Sequence, residues 1–215
     1  RPTGSRGSGA IWFATAERQV NAGQLDQALR SLDWAVQREP ANREYRLLRA
    51  QVRGRLGQLD AAIADFRELA EGPGADPRAA RGLLAALSDA RRYREAAEVG
   101  RRAAATWPGD VAILHGTAWL LATAPDDGVR DGALALRLAQ ALSLAGETLQ
   151  SLDALAAAQA ETGAFAAAVA TCERALRLAE TRGDTATGAD LRARLAAYRA
   201  ERAWRLPAPA ADTGP

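Results

Sequence analysis

Gly23-Gln24-Leu25-Asp26 and Gly57-Gln58-Leu59-Asp60 spell one turn twice, 34 residues apart. Each follows an apolar-periodic stretch, and each is followed by a small residue, Ala28 in one copy and Ala62 in the other. Gly163-Ala164-Phe165, with Ala168 behind it, spells the turn again. Reading outward, Pro40 and Pro108 each close a stretch with alanine twelve and five positions earlier: Ala28 and Ala35, then Ala96 and Ala103. Two antiparallel helices approach closely only where side chains are small, so alanines seven residues apart on one helix face predict a contact. Large residues such as Trp12 and Phe66 fill the gaps between hairpins. The period is that of a stacked helix–turn–helix unit.

Five such hairpins can be traced. The first carries Ile11, Trp12, Ala16 and Val20, then Ala28, Leu32, Ala35 and Val36. The second carries Tyr45, Leu48, Val52 and Leu56, then Ala62, Phe66 and Leu69, with Gly72-Pro73-Gly74 as its break. The third opens at Pro77, a residue suited to the first turn of a helix. Its stripes are Leu83, Leu84 and Leu87, then Tyr93, Ala96, Val99 and Ala103. The fourth departs from the pattern. Its first helix is predicted over Val111–Thr123, the connection from Ala124 to Arg130 is longer than an ordinary repeat turn, and Asp131 reads as an N-cap. The fifth spans about Leu149–Leu178 and includes Cys172. After a polar break at Arg182–Gly188, a last helix is predicted over about Ala189–Trp204 to cover the apolar face that a terminal repeat exposes. Residues 1–9 read as a linker, 10–205 as the repeat domain and 206–215 as a disordered tail.

On these residues the stretch from about Gly9 to Leu206 resembles the tetratricopeptide repeat family. The run from Thr117 through Trp204 looks like a bacterial variant in which a long-turn repeat precedes a terminal repeat and a capping helix. The resemblance implies an all-α fold, a right-handed α-solenoid of about five helix–turn–helix repeats plus a C-terminal capping helix. It also implies a concave groove lined by the first helix of each repeat. The groove candidates are Phe13, Glu17, Gln51, Arg55, Arg81, His115, Trp119 and Asp153. A few rigid aromatics among ionic and amide groups suit a peptide with polar anchors. The lysine–asparagine set with which some family members clamp a C-terminal carboxylate is absent.

Composition narrows the function further. Formal net charge is +2, every basic residue is arginine, and the arginines are interleaved with acids, so no compact basic run points to nucleic acid. No run of about 18 apolar residues predicts a membrane span. One cysteine excludes an internal disulfide framework, and Cys172 falls on a core position. The lone histidine has no nucleophile signature beside it, and GSRGSG before the first helix lacks the lysine and the strand of a phosphate loop. Neither a cofactor nor catalysis is predicted. Arg46, Arg49 and Arg53 share one helix face and read as a solvated stripe beside Glu44 and Asp60, with an acid-binding stripe as the competing reading. Asp126, Asp127 and Asp131 lack the spacing of a calcium loop and read as a structural turn.

The sequence thus predicts an interaction scaffold that binds a protein or peptide segment and does no chemistry. Two other readings are a regulatory or substrate-presenting segment of a larger bacterial enzyme, such as a glycosyltransferase, and self-association through the first helix, where Ile11, Trp12 and Phe13 are adjacent. No targeting segment is recognised, which leaves the compartment open.

Overall fold

The computed structural model describes residues 8–72 and 74–208. Among them are eleven α-helices and no strand: α1 (Ser8–Asn21), α2 (Leu25–Arg38), α3 (Arg43–Arg55), α4 (Leu59–Ala70), α5 (Pro77–Asp89), α6 (Tyr93–Thr106), α7 (Val111–Thr123), α8 (Gly132–Ala145), α9 (Leu149–Glu161), α10 (Phe165–Thr181) and α11 (Thr185–Arg199). The helices fall into two compact units, one through Ala90 and one from Arg91 onward. Within the first, each helix packs on the next, and α3 also touches α5. Within the second the succession runs from α6 to α11, and α7 also touches α9. Neighbour-on-neighbour packing, with odd-numbered helices meeting across a hairpin, is the contact pattern of a helical repeat. Ser8 and Gly9, read as linker, already belong to α1. The rest of that segment and Pro73 lie outside the described residues.

The repeated turn has one geometry. Gly23, Gly57 and Gly163 adopt φ of 73°, 73° and 80°, the left-handed region that glycine enters without a Cβ penalty. The following N–H then reaches back over the end of the preceding helix: Gln24 to Gln19 O at 2.8 Å, Gln58 to Arg53 O at 2.9 Å, and Ala164 to Gln159 O at 2.8 Å. These bonds close carbonyls that a helix end leaves open. The cap position before the next helix is held by Gln24, Gln58 and Ala164, and α2, α4 and α10 have no side-chain N-cap. Helices preceded by Asn, Asp or Thr do have one. Asn42, Asp76, Asp110 and Thr148 accept N–H groups at the starts of α3, α5, α7 and α9. The long link in the fourth repeat moves α8 into this second group, and Asp131 accepts the Leu134 N–H at 2.9 Å as expected.

In the first unit, Ala16, Ala28, Leu32 and Val52 form a core cluster. Gly82 is helical, yet a Cβ there would lie 2.4 Å from the ring of Phe66, so α4 and α5 meet through the absence of a side chain. The stripe arginines of α3, Arg46, Arg49 and Arg53, differ from the solvated face expected of them. Arg49 grips Asp65 of α4 with two bonds of 2.9 and 2.7 Å, and Arg53 bonds the same carboxylate at 2.8 Å. Asp33 lies 3.4–3.5 Å from both guanidiniums, and Arg46 pairs with Glu68. The reason is Asp65, which is buried and so must be paired. The stripe is an internal clamp between α3 and α4, and its charge is already spent on acids of this chain.

In the second unit, Ala168, Cys172, Ala175, Leu191 and Tyr198 pack α9, α10 and α11 together. Cys172 is fully buried, and burial pushes its thiol up to about 11. The last helix is displaced from the expected span. It begins at Thr185 because Asp184 accepts the Thr187 N–H at 3.0 Å, and the polar break shrinks to a three-residue turn, Arg182–Asp184. It ends at Arg199, where Glu201 takes φ 54° and turns the chain back. Trp204 therefore lies beyond the helix, in a strap without regular secondary structure that runs to Ala208. The first residues assigned to a disordered tail, Leu206–Ala208, are part of that strap. In the long link Asp126 accepts the Gly128 N–H at 2.9 Å, and Arg130 holds Ala124 O at 2.8 Å and Glu161 at 2.9 Å.

Candidate functional site

Two concave sites lie on first-position helices, one in each unit. The first is a groove of about 510 Å³ along α3 and α5. Val20, Leu48, Val52, Leu59 and Phe66 make its apolar floor, and Gln51, Arg55 and Asp89 stand at its margin. Glycine at 82 keeps this floor open, because the ring of Phe66 occupies the space a side chain there would need.

The second site is a pocket of about 300 Å³ between α7, α9 and α11, partly covered by the strap. α7 contributes His115 and Trp119, one helical turn apart. α9 contributes Leu149, Gln150 and Asp153, and α11 contributes Thr187 and Arg194. The strap adds Trp204 and Leu206. Arg194 is the hub. It pairs with Asp153 at 3.0 Å, and its guanidinium lies 4.8 Å from the Trp119 ring centre and 5.7 Å from that of Trp204. A planar cation between two indoles is held by the ring quadrupoles as well as by its carboxylate. Burial pushes the Asp153 carboxyl up to about 6, against the pull of Arg194. Burial likewise lowers His115, which favours the neutral imidazole at physiological pH. The walls are thus aromatic and aliphatic, with one ion pair set low in the pocket.

The eight predicted residues divide three ways. His115, Trp119 and Asp153, spread over two repeats in the chain, converge on the second-unit pocket. Gln51 and Arg55 converge on the first-unit groove. Phe13, Glu17 and Arg81 line neither. Phe13 stacks on Tyr45 with ring centres 4.7 Å apart, Glu17 is exposed on α1, and Arg81 bonds its own helix at Pro77 O. Arg194 and Trp204 were missed. The hydrophobic spacing places Trp204 on the capping helix, and the signal that separates it from α11 is the left-handed residue Glu201, which no glycine marks. Among the described residues there is no cluster of three or more histidine, cysteine, aspartate or glutamate side chains able to hold a metal ion. No helix among them is long and apolar enough to cross a membrane.

This arrangement of paired helices is a known one. The chain has the tetratricopeptide-repeat fold, an α-solenoid built of helical hairpins. It is similar to MamA (residues 41 to the end) of Desulfovibrio magneticus at 17% identity, with a TM-score of 0.69 over 81% of this chain and 97% of that one. A tetratricopeptide repeat protein of Parabacteroides merdae matches at 16% identity and a TM-score of 0.70, over 90% of this chain and 77% of the other. A thermophilic tetratricopeptide repeat protein of Thermus thermophilus matches at 18% identity and a TM-score of 0.60, over 89% and 99%. No family model and no curated protein matches the sequence.

Proposed function

We propose that this chain is a protein-interaction scaffold that binds a segment of a partner protein along its first-position helices and carries out no chemistry. The observation that carries the reading is the convergence of His115, Trp119 and Asp153 from two repeats on one aromatic-walled pocket with a fixed ion pair. Such a pocket suits an apolar or aromatic anchor flanked by a polar group. The groove at Gln51 and Arg55 offers a second, more apolar contact for the same kind of ligand.

Comparative capture tests this reading. The full chain is set beside a Gln51→Ala/Arg55→Ala variant and a His115→Ala/Trp119→Ala variant, each checked for helical content. At least one variant should lose a specific partner that the parent chain retains. Equal recovery of every partner by all three proteins sinks the proposed binding faces.

Self-association is a second proposal. Ile11 is 68% exposed, and Trp12 and Trp34 stack on each other at 6.2 Å while 39% and 47% exposed. This apolar patch suits the same patch of a second copy. Sedimentation of the full chain at several concentrations should show a dimer that Trp12→Ala abolishes. A monomer at every concentration removes the proposal.

A further inference from the structure

The strap after α11 sits on the second unit as a bound peptide would. It has no regular secondary structure, yet it is held through its main chain. The Leu206 N–H donates to Thr123 O at 2.8 Å. The Tyr93 hydroxyl donates to Pro207 O at 3.0 Å, and Arg91 donates to Ala208 O at 2.9 Å. Trp204 and Leu206 line the pocket beside His115 and Trp119, while Arg205 between them makes its contacts away from that lining. There it donates to Ala122 O at 3.3 Å and pairs with Glu161 at 2.7 Å. Ala122 and Thr123 are at the C-terminal end of α7, where helix carbonyls lack intrahelical partners and the dipole favours a cation. Main-chain bonds for affinity and alternate side chains for selectivity are how proteins hold extended peptides.

We propose that this seat is a peptide-binding site for an extended segment with an aromatic residue, an arginine and an aliphatic residue in succession, and that Trp204–Ala208 occupies it in cis. The proposal rests on the reading that the His115–Trp119 face binds partner segments. Exchange is feasible because the hold is shallow: Trp204, Arg205 and Leu206 are half-buried, and Pro207 and Ala208 are exposed. The strap competes because it is tethered, at an effective concentration of the order of millimolar. A partner segment of like chemistry therefore meets an occupied site, and weakening the strap opens it.

The probe is a labelled peptide of residues Arg202–Ala208, titrated by fluorescence anisotropy against the full chain and against its Arg205→Ala/Leu206→Ala variant. The variant should bind the probe at least about tenfold more tightly, because the tethered competitor is weakened. Adding Tyr93→Phe to the variant should weaken binding by about threefold, as expected for one lost hydrogen bond. Equal affinity for parent and strap variant, or no binding to either, overturns the proposal and leaves the scaffold reading to the capture experiment. Should the variant lose helical content, the unmodified chain still decides. Millimolar probe should speed hydrogen exchange at the Leu206 amide, and an unchanged rate overturns the proposal equally.

Discussion

The first unit spends its strongest charges on its own framework, and the second places them beside a pocket. On α3 and α4, Arg49 and Arg53 converge on buried Asp65, away from the groove that α3 presents with Gln51 and Arg55. On α9 and α11, Asp153 and Arg194 form a comparable pair, but that pair lines the pocket and is flanked by two indoles. Both are ion pairs between neighbouring helices of the same fold. Of the two carboxylates at their centres, Asp153 lines the second-unit pocket and Asp65 does not line the first-unit groove. An arginine stripe in a helical repeat is thus no evidence for an acidic partner until the acids of the adjacent helix have been counted.

The comparison breaks most visibly at Asp65. Asp65→Ala leaves two partly buried guanidiniums without their shared carboxylate, and Asp33 reaches them only at 3.4–3.5 Å. Removing one partner of a buried pair should cost about 2–4 kcal/mol in chemical denaturation, and binding at the second-unit pocket should be unchanged. A loss below the error of the measurement would mean that Asp65 is no clamp.

Asp153 should behave differently, because its cost depends on pH. Its folded carboxyl titrates near 6, above the ordinary carboxylate range, so the fold prefers the protonated form. That preference is fully present below about pH 4 and is lost as pH rises to about 6, a change of about 2–3 kcal/mol. Asp153→Asn removes the titration while keeping an acceptor for Arg194. The stability of the variant relative to the parent should therefore rise between pH 4 and pH 7 by about 2 kcal/mol. Parallel stability profiles would show that burial does not govern this carboxyl. At Gly82 the expected effect is about 1–2 kcal/mol, since Gly82→Ala must displace the buried Phe66 ring. A gain in thermal stability would show that the groove floor has room to spare.

What the sequence revealed and what it hid follow one physical line. Gly23, Gly57 and Gly163 mark turns that need a left-handed residue, and Asp131 marks a helix start, so the hairpins and the long fourth link were legible from residue types alone. The partners of the arginine stripe were not. Asp65 sits inside an apolar run, and only packing shows that it faces α3. The convergence of His115, Trp119 and Asp153 could be anticipated from their shared place in successive repeats. Phe13, Glu17 and Arg81 occupy similar places yet miss both sites, because their side chains turn toward Tyr45, the exposed face of α1 and the backbone of their own helix. The strap was hidden most completely, since its hold is through main-chain atoms that every residue possesses.

Two positions sharpen this point at the smallest scale. Gly57 and Glu201 hold φ of 73° and 54°, and each is followed by an N–H that reaches back to the helix, Gln58 to Arg53 O and Arg202 to Ala197 O, both at 2.9 Å. The backbone is the same and the residue is not. Gly57→Ala should destabilise by about 1 kcal/mol, because a Cβ is strained there. Glu201→Gly should stabilise by about 0.5 kcal/mol, relief of the same strain being partly offset by a freer unfolded chain. Paired melting curves that shift in opposite directions would show that the turn after α11 is a repeat turn with its marker missing, which is why the end of that helix could not be read. Shifts of the same sign would mean that Glu201 is held left-handed by the strap itself, and the strap would then belong to the framework.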